Sequence, residues 1–203
     1  TPVQGRDCSK ARRLICAHAS ERDLIRSDPS VSVRRLAPPE HPARPHDQLE
    51  AFRARWQTGT RWRACMVLLR WTGARIGDAV NLGPGMVGRD GVLTFRQQKA
   101  GDFAHGPWTC GLPAHVAQQA DRDRVHKALG DLLTGRMTFL ATRNGRTRSG
   151  KAMGHVIAAA AAGAGFDQSG HGLRKGRAVA LAEGDATPLQ IVDWKGYHSL
   201  SEV

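Results

Sequence analysis

The stretch Thr72-Gly73-Ala74-Arg75-Ile76-Gly77-Asp78-Ala79-Val80-Asn81-Leu82 decides how the rest of the chain is read. Before it, Thr60 can cap a helix in which Trp62, Cys65, Met66, Leu68 and Leu69 form one broad apolar face. Gly73 is placed to close that helix by the left-handed route, and a further helix is expected from about Arg75 to Leu82. Arg75 therefore falls at a sharp junction between two helices. Backbone amides at a helix start and a guanidinium can converge there on a single anion. Taken alone, Arg75 reads as a surface cation or a structural cap sooner than as an anion ligand.

Working outward, Val87 and Val92–Gln97 read as two strands about a turn at Arg89-Asp90-Gly91. A second turn at Lys99-Ala100-Gly101-Asp102 leads to an expected third strand over Trp108–Leu112. Lys99 thus sits at a hairpin tip, which can push an ammonium into a groove or simply keep a tip hydrophilic. Helical periodicity returns from Asp121 to Leu133, from Ser149 to Ala162 and from His171 to Glu183. Thr187-Pro188-Leu189-Gln190 is a capping box with proline at the first helical position, opening a helix through Lys195. Ser199 to Val203 reads as the first turn of one more helix. On the N-terminal side, Asp47 can cap a helix to Trp56 with Leu49 and Phe52 inward. Ser9 to Ile25 has helical spacing, with Leu14, Ile15, Ala17, Ala19 and Leu24 able to share a face. Ala37–His46 holds four prolines and reads as a stiff connector. The expected fold is mainly α with a small antiparallel β-sheet. The expected domains are a remnant of a helical N-terminal domain over 1–36, a linker over 37–46, and the main domain over 47–203.

The 203 residues carry 30 Lys plus Arg against 18 Asp plus Glu, a formal net charge of +12. Only Lys10, Lys99, Lys127, Lys151, Lys175 and Lys195 are lysines, so 24 of the cations are arginines. The planar fork of arginine pairs bidentately with phosphate oxygens, and a sequence pI near 10.7 is the footprint of a nucleic-acid binder. A GC-rich coding sequence would enrich arginine as well. Hydrophobic and charged fractions of 40% and 24% argue against global disorder. No apolar run approaches a membrane span, and the N-terminus lacks the order of a signal peptide, so a soluble intracellular protein is expected. Cys8, Cys16, Cys65 and Cys110 have neither paired nor metal-type spacing and are read as reduced thiols.

His171-Gly172-Leu173-Arg174 places a histidine and an arginine three apart at a helix start. A single such pair is common by chance. Arg75, Lys99, His171 and Arg174 together, drawn from separate segments, are the inventory for handling a phosphodiester. Arginines neutralise equatorial oxygens, and a lysine or histidine moves the proton of the attacking or leaving oxygen.

In the order and context of these residues the chain resembles the tyrosine recombinases, the phage-integrase family. The resemblance rests on Thr72–Leu82, on Arg96-Gln97-Gln98-Lys99-Ala100-Gly101, on His171-Gly172-Leu173-Arg174-Lys175, and on Ile191 and Gly196 through Ser199-Leu200-Ser201-Glu202-Val203. It runs from about residue 47 to the end, and Leu24–Pro29 looks like the exit of the family's core-binding domain. It implies Arg75 and Arg174 on the scissile phosphate, Lys99 as general acid to the leaving 5′ oxygen, and His171 as proton-transfer and phosphate-positioning partner. It implies a 3′-phosphotyrosyl intermediate, no metal and no cofactor. It also implies double-stranded DNA as partner, self-association on DNA as a synaptic tetramer, and a prokaryotic, nucleoid-associated cytoplasmic setting, with a phage, a mobile element or a host equally open as its user.

Two departures stand out. Gly196-Tyr197-His198-Ser199-Leu200 puts Tyr197 where the family has histidine, with His198 one place late. A phenol can still donate one hydrogen bond to a phosphate oxygen but cannot carry imidazolium charge. The family's nucleophilic tyrosine is expected about three residues past Val203, and Tyr197, the sole tyrosine, is about nine residues out of place for that role. The chain as written is therefore expected not to cleave DNA and to be monomeric by itself. A recombinase-like protein that holds DNA without cutting it is the alternative. A basic RNA- or ribosome-associated domain rests on charge alone, without single-strand stacking aromatics.

Overall fold

The computed structural model of the protein describes residues 2–33, 46–116, 119–130, 137–166 and 170–199. The chain divides into two units, Thr1–Glu40 and His41–Val203. In the first, helix α1 spans Pro2–Glu21 and ends four residues before the expected stop. Leu14 and Ile15 in this helix and Leu24 beyond its end are largely exposed, so the stripe that the spacing suggested is not a buried face. The Asp28 carboxylate accepts the Ser30 amide at 2.7 Å, and those Ser30 hydrogen bonds hold it below the usual carboxylate range. The expected connector, 37–46, lies outside the described residues except for His46.

The second unit is built around α3 (Arg61–Thr72), whose run from Ala64 to Leu69 is buried together with Trp71 and Thr72. As expected, Thr60 caps it through its side chain, and Gly73 ends it in the left-handed region with φ 61°. Helix α2 (His46–Arg55) buries Leu49 and Phe52. The next helix is shorter than the sequence suggested: α4 is only Ile76–Ala79, with Arg75 extended at its N-cap.

A 3-10 turn at Pro84–Met86 leads to β1 (Val92–Arg96), which pairs antiparallel with β2 (Phe103–Pro107). The register sets Val92 opposite Pro107 and Arg96 opposite Phe103. This corrects the expected third strand at Trp108–Leu112. There the amides of Trp108, Thr109 and Cys110 gather on the Gly91 carbonyl at 2.9, 2.9 and 3.3 Å, so the chain wraps the end of the hairpin. The true partner, Phe103-Ala104-His105-Gly106-Pro107, holds glycine and proline, which disfavour strands. The tight turn before it overrides that propensity. Val87 contributes one isolated bridge to Leu93.

Helices α5 (Gln119–Gly130), α6 (Gly150–Gly163) and α7 (Gly170–Glu183) complete the layer against α3. Helix α8 (Pro188–Lys195) carries the expected capping box and ends on left-handed Gly196. Asp121 of α5 is buried and takes Arg53 of α2 at 3.1 Å, Arg124 at 2.9 Å and Arg70 of α3 at 3.7 Å. All four cysteines are free, and burial pushes the Cys65 thiol up to about 12. No described helix is long and apolar enough to cross a membrane.

Candidate active site

The corner between α3 and α4 forms because Gly73 turns the chain left-handed and Thr72 ties it down. The Thr72 hydroxyl donates to the Leu68 carbonyl at 2.8 Å and accepts the Ala74 amide at 3.2 Å. A Cβ at Gly73 would stand 2.9 Å from the Lys195 side chain, so both conformation and space require glycine. The corner projects Arg75, which is half-buried, and its Nη1 donates to the Gln97 amide oxygen.

Arg174 arrives from α7 and is buried, with 4% of its surface exposed. Its Nη1 donates to the Gly73 carbonyl at 2.7 Å. Its Nη2 donates to the Lys195 carbonyl at 3.0 Å and to the Gln97 amide oxygen at 3.4 Å. The two arginines, 99 positions apart in sequence, therefore share one acceptor. These acceptors are neutral, so they orient the guanidiniums without cancelling their charge. Tyr197 completes this wall: its ring lies 4.9 Å below the Arg174 guanidinium and 5.4 Å from the Lys195 ammonium.

The other two residues expected here stand differently. His171, in the first turn of α7, is exposed, whereas Arg174 three residues on is buried. Lys99 is exposed on the β1–β2 tip, two residues from Gln97. The tip is held by the Gln97 amide donating to the Asp102 carbonyl and the Gly101 amide donating to the Gln97 carbonyl, each at 2.9 Å, by Arg96 Nε donating to the Gly101 carbonyl at 2.8 Å, and by the Gln98 amide donating to the Asp78 carboxylate at 3.0 Å. His198 faces outward and meets the Asp102 carboxylate at 3.2 Å, so the histidine that comes one place late is engaged with the hairpin.

Sequence reasoning missed three buried polar side chains. Gln97 is 1% exposed, while Lys195 and Arg177 are fully buried. Lys195 donates to the Arg174 carbonyl. Burial, then Arg174, Arg177, Arg75 and Arg70 in that order, push its ammonium well below the ordinary lysine value. Arg177 sits between two indoles, 4.4 Å from the centroids of both Trp71 and Trp194. Burial lowers its guanidinium too, against the opposing pull of Asp121. One signal for Lys195 was available: Ile191, Trp194 and Lys195 follow the spacing of the inward face of α8. Chemically, the site is a cationic corner that can grip a tetrahedral oxyanion from two sides. Among the described residues no cluster of three or more His, Cys, Asp or Glu side chains could hold a metal ion.

No family model matches the sequence, and no curated protein matches it. Solved structures do match the fold. A lambda integrase (75-356) dimer bound to a COC' core site superposes with a TM-score of 0.75 at 18% identity, covering 100% of this chain and 74% of that one. A lambda integrase tetramer bound to a Holliday junction gives 0.76 at 20% identity over 98% of this chain and 59% of that one. XerA recombinase gives 0.63 at 18% identity, over 95% and 67%. The chain has the α+β fold of the integrase catalytic core and spans between 59% and 74% of these chains.

Proposed function

We propose that this tyrosine-recombinase fold serves site-specific DNA strand cleavage and rejoining. The observation that carries the reading is the convergence of Arg75 and Arg174 on one neutral acceptor, beside a hairpin that presents Lys99. In this reading the two guanidiniums hold the non-bridging oxygens of the scissile phosphate and stabilise the charge that develops on them. A tyrosine hydroxyl attacks phosphorus, the bond from phosphorus to the 5′ oxygen breaks, and Lys99 gives that oxygen its proton. His171 positions the phosphate and takes the proton that the attacking tyrosine hydroxyl loses, and Tyr197 donates one hydrogen bond in place of an imidazole. The reverse attack by a strand's 5′ hydroxyl rejoins DNA and frees the tyrosine. Double-stranded DNA is the partner, self-association occurs on DNA, and no cofactor takes part.

The test uses the protein carried past Val203, so that the tyrosine the resemblance places there is present. Incubation with supercoiled plasmid bearing its cognate site is expected to give a covalent protein–DNA adduct. Absence of any adduct would sink the cleavage reading.

Tyr197 favours a second reading, a protein that holds DNA without cutting it. Its ring packs on Arg174 and Lys195, and it cannot supply imidazolium charge. Tyr197→His separates the two: a rise in cleavage supports an enzyme slowed by one substitution, and retained binding with unchanged inactivity supports the holding role.

A further inference from the structure

The side chain that joins the two arginines is a donor as well as an acceptor. Gln97 makes contacts on both sides of its carboxamide. Its oxygen accepts from Arg75 Nη1 and from Arg174 Nη2 at 3.4 Å. Its nitrogen donates to the Lys195 carbonyl at 2.8 Å and to the Gly196 carbonyl. A Cβ at Gly196 would run into that nitrogen, so the chain entering Tyr197 is kept bare for the amide to approach. The backbone of Gln97 is held as well, its amide on Asp102 and its carbonyl on Gly101, each at 2.9 Å. One buried residue thereby fixes the α3–α4 corner, α7, the end of α8 and the hairpin tip relative to one another.

We infer that Gln97 is a positioning residue that sets the spacing of Arg75 and Arg174 for a phosphate group, and that it must be a neutral amide to do so. The inference rests on the reading of this corner as a phosphate clamp. A guanidinium has five donors, so one bond from Arg75 to the amide leaves the rest of its fork for a ligand. A carboxylate at the same place would hold the arginines equally well in geometry. It would also neutralise about one of their charges and set a carboxylate oxygen against the Lys195 and Gly196 carbonyls. An aliphatic side chain of similar size would keep the packing and lose the alignment.

Inorganic phosphate is the probe, with its dissociation constant measured by calorimetry at constant ionic strength on the 203-residue chain and its variants. Melting temperature without phosphate is recorded in parallel. Gln97→Met is expected to weaken phosphate binding by roughly fivefold and Gln97→Glu by at least about tenfold, since an opposed charge outweighs a lost hydrogen bond. Arg75→Ala is expected to abolish specific binding. If Gln97 only fastens β1 to residues 195–196, both Gln97 variants lower the melting temperature. Phosphate affinity then stays within about twofold of the parent protein, and Arg75→Ala still loses it. That result overturns the inference and leaves the clamp intact. Phosphate binding that is absent in the parent chain, or unchanged in Arg75→Ala, overturns the clamp itself. Where one Gln97 variant does not fold, the other decides on the same criterion.

Discussion

Lys195 and Arg174 exchange hydrogen bonds through each other's main chain. The Lys195 ammonium donates to the Arg174 carbonyl, and Arg174 Nη2 donates to the Lys195 carbonyl at 3.0 Å. Two basic side chains are thus held side by side in the interior, each bonded to a neutral oxygen. Such an arrangement costs stability unless a negative charge arrives to offset it, and the corner at Arg75 is where a phosphate would supply one.

Burial and the neighbouring arginines lower Lys195 in the folded state from an ordinary value of 10.5. The unfolded chain therefore binds more protons, and stability contributed by this group rises with pH toward 10.5 and falls as pH drops through the folded-state value. Lys195→Met is expected to remove that slope and to be relatively more stable on the acidic side, by up to about 3 kcal/mol. Denaturant unfolding of both proteins between about pH 6 and pH 10 checks it, and parallel curves would contradict it.

Arg177 tests the aromatic frame. It lies 4.4 Å from both the Trp71 and Trp194 centroids, and Trp194 donates to the Trp71 carbonyl at 3.2 Å. Arg177→Ala is expected to cost about 3 kcal/mol, combining a cavity with two lost cation–π contacts. Arg177→Lys should recover only part of that, because an ammonium lacks the planar face that stacks. Equal stability of the lysine variant and the parent, measured by denaturant unfolding, would refute the stacking account.

Asp78 tests the hairpin. Its carboxylate accepts the Gln98 amide at 3.0 Å, one residue from Lys99. Asp78→Ala is expected to lower cleavage by the protein carried past Val203 by about tenfold or more while changing DNA affinity less than twofold. A parallel loss of affinity and rate would assign Asp78 to folding alone.

Charge predicts a salt dependence. With +12 net charge, binding to duplex DNA is expected to fall with salt on a log–log slope reflecting roughly 6–10 phosphate contacts. Duplex DNA should compete better than structured RNA, since Trp71, Trp108 and Trp194 lie in the core and Phe103 alone among the described Phe, Trp and Tyr side chains is largely exposed. A slope near zero would contradict every nucleic-acid reading of the chain.

Local signals in the sequence were read correctly where one residue type and one spacing settled them. The Thr187 capping box, the Thr60 cap and the Gly73 stop all stand as the residues imply. The strand Phe103–Pro107 was missed because its composition opposes its structure, and pairing with Val92–Arg96 decided the matter. Arg75 and Arg174 were legible as isolated cations at helix starts, although Arg174 turned out to be buried. Gln97 was not legible, because Arg96-Gln97-Gln98-Lys99 reads as a uniformly polar strand end. Its burial depends on residues 195 and 196, nearly a hundred positions away. Lys195 was hidden by a plausible local role at a helix C-terminus, where a cation ordinarily complements the dipole from the surface.

In the proposed reading, Arg75 and Arg174 grip the phosphate at which DNA is cut. Its most direct test is the rate of covalent adduct formation on supercoiled plasmid carrying the cognate site, comparing the protein carried past Val203 with its Arg75→Ala variant. The account predicts a detectable adduct for the parent and a rate at least about a hundredfold lower for the variant, with overall DNA binding within a few-fold. An adduct that forms equally fast without Arg75, or no adduct from the parent protein, would contradict it.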